Sequence, residues 1–476
     1  MTKLFSINKK DIIVALVVTI FMFGGRFVPV SETSLITSYG FQVIGIFIGL
    51  IIGWCLSGLF WPSILAIPAL ALTPYGDAAT VISAAFNNST IMMILLGFLC
   101  FAPMSYSGVG EILCNKLLSL KIFKGKPVVF MLSLMIGLFL LAGIGAITTP
   151  LIILIITLIG TMCKSLGYNK GEMFPAMFLT ALIVAIGAGR CLFPFLGWPL
   201  MTVATLSRFG TISNTVFWAM VIPGTILIFG LYIVVMKLLR CNFAPLKEAD
   251  LSGDPSKTTM NTYQKAVLIS QLVIIAVIIL SSFLGSKLPF LNSFGVVGCM
   301  GLGIVCSFLL KSDGQPLLDM KKAVMCVPLD MLFMFAIAIL VSSILTAEGT
   351  GISPAIQAFV IPLMANTSGL MFVLILTIVT FILTNLLNNI VVVYTMLAVV
   401  GALFTANPTL NLTVTGTMIT YMGILGFLLP SASVYGAILY GSEMVTPKSV
   451  LTAALLAMFV ILLVAAVYMI PIGLML

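Results

Sequence analysis

Residues 127–163 read PVVFMLSLMIGLFLLAGIGAITTPLIILIITLIGTMC, a run that is apolar except around Gly145 at its centre. Lys126 precedes the run and Lys164 follows it, and lysine collects on the cytoplasmic side of membrane proteins. Both ends are therefore predicted to be cytoplasmic. Each arm has about 16 residues and a length of roughly 24 Å, which is less than a hydrocarbon core of about 30 Å. The sequence predicts a re-entrant hairpin whose tip stops inside the membrane.

The same design recurs over 369–404, around the residues TNLLNN. Gly145 in the first tip and Asn388 in the second are 243 positions apart, and so are Gly189 and Ala432 in the interrupted segments that follow. Transporters built from duplicated halves place substrate and ion sites where paired helices are interrupted near the bilayer midplane. The constant spacing therefore predicts an inverted repeat with two hairpin tips around one cavity.

The composition of the 476 residues excludes a soluble globular protein, because only 7% are charged and the mean hydropathy is +1.27, whereas soluble proteins have about 25% charged residues. We expect an all-α polytopic membrane protein with about 11 transmembrane helices and two re-entrant hairpins. The uninterrupted apolar runs cover 11–30, 36–56, 89–106, 216–239, 263–283, 294–310, 328–345 and 450–471.

The polar stretch 241–262 near the middle of the chain contains Pro, Gly and Asp residues and is typical of a linker. It divides the chain into a first inverted repeat over 36–240 and a second over 263–476, with 1–35 as an N-terminal span.

The positions of Lys and Arg predict a multi-pass protein of the plasma membrane with a cytoplasmic amino terminus and a carboxyl terminus outside. The net charge of +9 follows from this topology, so a nucleic-acid partner is not expected. Most of the chain is expected to lie within the lipid bilayer.

Enzymatic chemistry is not expected, because the sequence contains no His and no pair of Asp or Glu inside an apolar run. The nine cysteines lack CxxC spacing, so neither a disulfide framework nor a zinc site is indicated.

Each hairpin is followed by a second interrupted segment, AIGAGRCLFP at 185–194 and LLPSASVYG at 428–436. Glycine and proline at this density end one half-helix and start another. The amino ends of half-helices present free N–H groups and a positive dipole end to an anion. An anionic ligand is therefore expected.

The segments 186–197, 384–390, 429–433 and 437–442 resemble the divalent anion/sodium symporter family of the ion transporter superfamily, in an order that spans essentially the whole chain. The resemblance implies a homodimer in which a mobile transport part moves against a scaffold by an elevator-like motion. It also implies that each hairpin tip holds a sodium ion and the substrate carboxylate together through a Ser-Asn-Thr signature.

This chain departs from that signature, and its two tips differ. Sodium needs oxygen ligands, and on the resemblance Thr384, Asn389 and Ala432 supply them for one Na⁺. The matching first tip reads Gly145-Ala146-Ile147 and has no side-chain oxygen. One sodium site is thus predicted, and a second is doubtful.

Arg190 lies in the first interrupted segment, where an arginine costs roughly 2.5 to 3.5 kcal/mol on insertion scales and is functional by default. Three roles remain open. The guanidinium can replace the lost cation against helix-end carbonyls, bind a substrate carboxylate in bidentate fashion, or simply place its head on nearby carbonyls while its stem packs.

We therefore expect a secondary active transporter of small organic anions, di- or tricarboxylates, coupled to sodium. The alternative is a proton-coupled or uncoupled anion carrier, including carriers of sulfate-like anions. The residues expected to meet the anion are Thr148, Thr149, Arg190, Asn388, Asn389 and Ser433.

Overall fold

A computed structural model describes residues 9–31, 33–87, 89–118, 125–147, 149–207, 209–248, 259–284, 289–345, 347–352, 354–355, 358, 369–406, 410–430 and 432–476. The helices of the first half are α1 Lys9–Gly24, α2 Ser38–Ser57, α3 Phe60–Ala71, α4 Ala78–Phe86, α5 Ser89–Tyr106, α6 Val109–Leu118, α7 Pro127–Gly143, α8 Thr149–Ser165, α9 Met173–Gly189, α10 Gly197–Leu206, α11 Asn214–Leu238 and α12 Ala244–Glu248. Those of the second half are α13 Thr262–Leu284, α14 Pro289–Leu309, α15 Met320–Met325, α16 Leu329–Leu345, α17 Gly369–Leu386, α18 Asn389–Ala406, α19 Leu412–Ile424, α20 Val434–Tyr440, α21 Pro447–Val464 and α22 Ile470–Met475.

The predicted helical membrane fold is confirmed, and each uninterrupted apolar run forms a helix. Within the described residues, five helices are long and apolar enough to cross a membrane. They are Ser38–Ser57, Asn214–Leu238, Thr262–Ser281, Gly369–Leu386 and Pro447–Met475. The total of about 11 spans and the division into inverted repeats stay predictions.

Two short elements were not predicted. Lys311–Ser312 (β1) and Gln315–Pro316 (β2) form an antiparallel hairpin whose turn is Asp313-Gly314, a favoured two-residue hairpin turn. In the predicted linker, Ala244–Glu248 is helical, and 249–258 lie outside the described residues.

Helices α7 and α8 form a hairpin that lies along α9. Near the start of α7, the ring of Phe130 lies 6.2 Å from that of Phe178 in the first half of α9. At its end, Gly143 packs so closely against Leu192, just beyond α9, that a Cβ on the glycine would lie 2.4 Å from the leucine side chain. Helix α7 therefore runs parallel to α9. Since α8 leads directly into α9, both outer ends of the predicted hairpin 127–163 lie at the start of α9, and the tip lies at its end.

Helices α17, α18 and α19 repeat this arrangement. The hydroxyl of Thr384, at the end of α17, donates to the carbonyl of Gly423 at the end of α19. A Cβ on Gly423 would also meet Val393 in the first turns of α18. The tip of the second predicted hairpin, 369–404, therefore lies at the end of α19, just as the first tip lies at the end of α9.

Each half-helix that follows α9 or α19 packs against helices of the opposite half of the chain. Helix α10 packs on α19 and α18 of the second half, where the hydroxyls of Thr202 and Thr420 bond to each other. Helix α20 packs in turn on α8 and α9 of the first half. This exchange brings each interrupted segment to the hairpin of the opposite half.

The helices bury two large apolar cores. One joins α7–α9, α11, α19 and α21 around the first hairpin. The other joins α1–α4 with α16 and receives Val391, Tyr394 and Ala398 from α18. The second hairpin therefore contacts both cores, whereas α7 and α8 belong to the first.

Candidate functional site

A cavity of about 430 Å³ lies beside the first hairpin tip. Its walls come from α5, the tip, the segment after α9, the start of α10, and the loop before α16. The residues whose chemistry matters are Ser105, Gly145, Ile147, Thr149, Arg190, Gly197 and Trp198. No Asp or Glu of the described residues lines this cavity, so nothing there neutralises the arginine.

Arg190 immediately follows α9, and its half-buried side chain reaches the first tip. One guanidinium nitrogen, Nη2, donates to the carbonyl of Ile147 at 3.4 Å. The guanidinium carbon also lies 5.4 Å from the ring centre of Tyr435 in α20, within the range of a cation–π interaction. Within the described residues, the other guanidinium N–H groups have no protein acceptor, and they remain available to a ligand.

Two helices begin at the wall of this cavity. Helix α8 starts at Thr149 and α10 starts at Gly197, and both residues line the cavity. The first turns carry no acidic side chain, and Leu196 gives α10 no side-chain cap. The amino ends of these helices therefore add positive dipole potential and free N–H groups to the charge of Arg190. Together the three features favour an anion.

The described residues 145–147 of the first tip have no side-chain oxygen for a cation. Gly145 adopts a positive φ of 73°, which allows the sharp turn. The carbonyl of Ala146 is pressed against Gly110, where a Cβ would lie only 1.9 Å from that oxygen. The carbonyl of Ile147 accepts from Arg190. The second sodium site stays doubtful, because the turn Gly145-Ala146-Ile147 presents no side-chain oxygen and the Arg190 guanidinium lies against it.

The second tip brings together the three residues predicted to hold sodium. Thr384, Asn389 and Ala432 converge on Gly426, where a Cβ added to the glycine would lie 2.9 Å from the Thr384 carbonyl oxygen and 3.5 Å from that of Ala432. The same point lies 3.4 Å from the Asn389 Cβ. The Asn389 side chain is 6% exposed and has no hydrogen bond to any described residue. Two carbonyl oxygens and a buried amide thus form a cradle beside Gly426, in which the Ala432 carbonyl also accepts the N–H of Asn389 at 3.1 Å; oxygens of these kinds are ligands that sodium accepts.

Ser433 and Asn388 bind the protein backbone. The hydroxyl of Ser433 donates to the carbonyl of Gly426 and accepts the N–H of Tyr435 at 3.0 Å, which caps α20. The Oδ1 of Asn388 accepts the N–H of Ile390 at 3.0 Å. Both lie at the second tip.

Of the predicted anion-binding residues, Thr149 and Arg190 line the cavity, whereas Asn388, Asn389 and Ser433 do not. Thr148 lies outside the described residues.

Asn385 was not among the predicted site residues, although it is fully buried. Its amide nitrogen donates to the carbonyls of Phe381 and Leu425, at 2.9 and 3.1 Å. Its amide oxygen accepts the N–H groups of Phe427 and Leu428, at 3.0 and 2.9 Å. Asn385 thus fixes the unwound segment after α19 to the hairpin. The sequence signal that could have identified Asn385 is a polar residue inside the apolar stretch of α17.

Replacing Asn385 by alanine is expected to destabilise the protein by roughly 3 kcal/mol, because buried backbone groups lose their partners. We also expect sodium-dependent stabilisation to disappear, since the replaced side chain holds the segment that contains Gly426. Thermal unfolding in detergent with and without sodium measures both effects. Thr19→Ala serves as the control, because the Thr19 hydroxyl is exposed and bonds only within α1. Sodium stabilisation equal to that of the unmodified protein would contradict the positioning role.

Comparison with known proteins identifies a family and a similar fold. The sequence model of the citrate transporter family, CitMHS, matches residues 54–426. The fold is similar to that of the Alcanivorax borkumensis YdaH transporter, whose crystal structure is described as having an unusual topology. The TM-score is 0.55 and the sequence identity is 11%. The match covers 83% of this chain and 87% of the other. No curated protein matches the sequence.

Proposed function

Because this chain belongs to the citrate transporter family, we propose that it is a secondary active transporter of small di- and tricarboxylates. The observation that carries the proposal is the cavity at the first tip, where the Arg190 guanidinium and the amino ends of α8 and α10 meet. A guanidinium pairs with a carboxylate through two parallel hydrogen bonds. The family match also supports the prediction of an anion transporter made from the sequence.

The size of the cavity suits such a substrate. Its volume of about 430 Å³ lies at the lower end of the usual range for small-molecule pockets, about 300 to 1,000 Å³. One carboxylate of the substrate would pair with Arg190, and another would lie at the amino end of α10. Trp198 and Ser105 then provide an apolar wall and a hydroxyl.

Sodium is proposed as the co-transported ion, held by Thr384, Asn389 and Ala432. Ala432 lies one residue before the cap of α20, and Tyr435 of this helix lies against Arg190. A cation at the second tip therefore adjoins the helix that contacts the anion site. If the ion stabilises this position of α20, it also raises the affinity for the anion, and the anion raises that for the ion by the same factor.

The movement that carries substrate across is proposed to be elevator-like, within a homodimer in the plasma membrane. The amino terminus would be cytoplasmic and the carboxyl terminus outside. These features rest on the resemblance to anion/sodium symporters and on the distribution of lysine and arginine.

A proton-coupled or uncoupled carrier is the second candidate. It is favoured by one observation, the contact of the Arg190 guanidinium with the Ile147 carbonyl. A permanent positive charge at this tip compensates the substrate charge without a bound ion.

Uptake of radiolabelled citrate, succinate, malate and sulfate into proteoliposomes tests the function. We expect citrate or a dicarboxylate to accumulate, and an inward sodium gradient to increase the initial rate at least about tenfold, as a coupling free energy of roughly 1.4 kcal/mol would give. Equal rates with and without sodium would exclude sodium coupling and leave the second candidate. Absence of uptake for every anion would contradict the transport proposal.

A further inference from the structure

An apolar groove of about 750 Å³ lies between α13 and α14 and is separate from the anion cavity. Ile269, Val273 and Leu302 line it and are more than half exposed, at 61%, 55% and 53%. At one end the groove reaches Lys311. We propose that this groove binds one anionic glycerophospholipid, with an acyl chain along the groove and the phosphate at the lysine end.

The groove is at least as long as one leaflet, and on the α14 side its lining runs from Phe294 to Leu310, or roughly 24 Å. On α13 its lining runs from Ala266 to Val277, and these 11 steps along a helix correspond to roughly 16 Å. Half of a hydrocarbon core of about 30 Å is about 15 Å. An acyl chain that starts at the membrane surface can therefore lie in the groove over the depth of one leaflet.

Two lysines lie at the same end of the groove. Lys265 is four residues before Ile269 on α13, so the two side chains share one helix face. The hydroxyl of Tyr263 donates to the carbonyl of Leu317 at 3.3 Å, which holds the start of α13 beside the strand that contains Lys311. Neither lysine forms an ion pair with a described carboxylate. Basic pockets between membrane helices on the cytoplasmic side bind anionic lipid head groups, and the cytoplasm is where these lysines are predicted to lie.

A buried hydroxyl gives the groove one polar point. Ser307 lines the groove and is 1% exposed, and its Oγ has no hydrogen-bond partner among the described residues. A buried hydroxyl without a partner costs free energy. It lies four residues before Lys311, near the level expected for the glycerol and ester oxygens of a lipid whose phosphate contacts that lysine.

Nearby acids do not cancel this charge. Asp319, in the loop after β2, accepts the N–H groups of Lys321 and Lys322 at the start of α15 and lies 4.0 Å from the Lys322 ammonium. Its carboxylate is therefore already engaged. Asp313, in the turn two residues after Lys311, forms no ion pair with either lysine, so two lysines against this one carboxylate leave a net positive charge. We expect this end of the groove to prefer an anionic head group over a zwitterionic one.

Native mass spectrometry of the full-length protein tests this proposal. The purified protein is incubated with dioleoyl-phosphatidylglycerol or dioleoyl-phosphatidylcholine, which have the same acyl chains. We expect phosphatidylglycerol to bind about 10 to 30 times more tightly, given roughly 1 kcal/mol for each lysine near the head group. The double variant Lys265→Ala/Lys311→Ala should lose this preference, and Lys170→Ala/Lys237→Ala, which changes two exposed lysines outside the groove, should retain it.

A second variant tests the groove itself. Val273→Trp fills it without changing charge, and we expect it to bind both lipids weakly. Equal affinity for the two lipids in the unmodified protein, or a loss in the control equal to that in the lysine variant, would overturn the proposal. A shift of Val273→Trp from dimer to monomer with unchanged lipid binding would also overturn it, because the occupant would then be a second copy of the chain.

Discussion

Replacing Arg190 by leucine is expected to lower the affinity for citrate or a related carboxylate by about 10- to 150-fold, because hydrogen bonds to a charged group contribute roughly 1.5 to 3 kcal/mol. The cavity has no second cationic side chain among its described lining residues to compensate. Arg190→Lys keeps the charge but cannot form the planar bidentate pair. We expect it to retain an intermediate affinity.

Substrate-induced thermal stabilisation and uptake into proteoliposomes measure this effect. Arg26→Leu is the matched control, because Arg26 also lies in an apolar region, near the ring of Phe23, and does not line the cavity. The control should bind substrate as the unmodified protein does. If Arg190→Leu transports with the same rate and affinity as the unmodified protein, the Arg190 guanidinium has only a packing role and the anion site lies elsewhere.

Gly426→Ala is expected to abolish the response to sodium. The added Cβ would lie 2.9 Å from the Thr384 carbonyl and 3.5 Å from that of Ala432, and it would fill the cradle where the ion is proposed to bind. Sodium affinity should fall at least about tenfold, equivalent to 1.4 kcal/mol. Substrate binding without sodium should change little, since Gly426 does not line the Arg190 cavity.

The control for this substitution is Gly230→Ala. Gly230 lies inside α11, and apart from the adjoining backbone of that helix no atom of the described residues is within 4 Å of the position that its Cβ would occupy. Measuring sodium-dependent and sodium-independent uptake in both variants separates loss of the ion site from loss of folding. Sodium stimulation of Gly426→Ala equal to that of Gly230→Ala would contradict the assignment of the ion site.

The hairpin helices were predictable because local sequence determines them. Glycine, threonine and asparagine interrupt the long apolar runs, and the helices end among those residues, at Gly143 and at Leu386. The family resemblance pointed correctly to anion transport. Arg190 was predicted to meet the anion, and the structure places its guanidinium against the Ile147 carbonyl of the first tip; its role stays a prediction.

Contacts between the halves were not predictable from the pattern. Tyr435 lies against Arg190, and Thr202 bonds to Thr420, although these pairs are separated by more than 200 positions, as the exchange of α10 and α20 requires. No periodicity in one segment encodes its partner in the other half. The role of Asn385 was missed for a related reason, because its four bonds depend on an unwound segment about 40 residues away.

A cryo-electron microscopy structure of the protein with bound citrate tests the central claim most directly. The anion cavity described above predicts a citrate carboxylate between the Arg190 guanidinium and the amino ends of α8 and α10, beside the first tip. Citrate bound away from this tip, with Arg190 making no contact to it, would contradict the account.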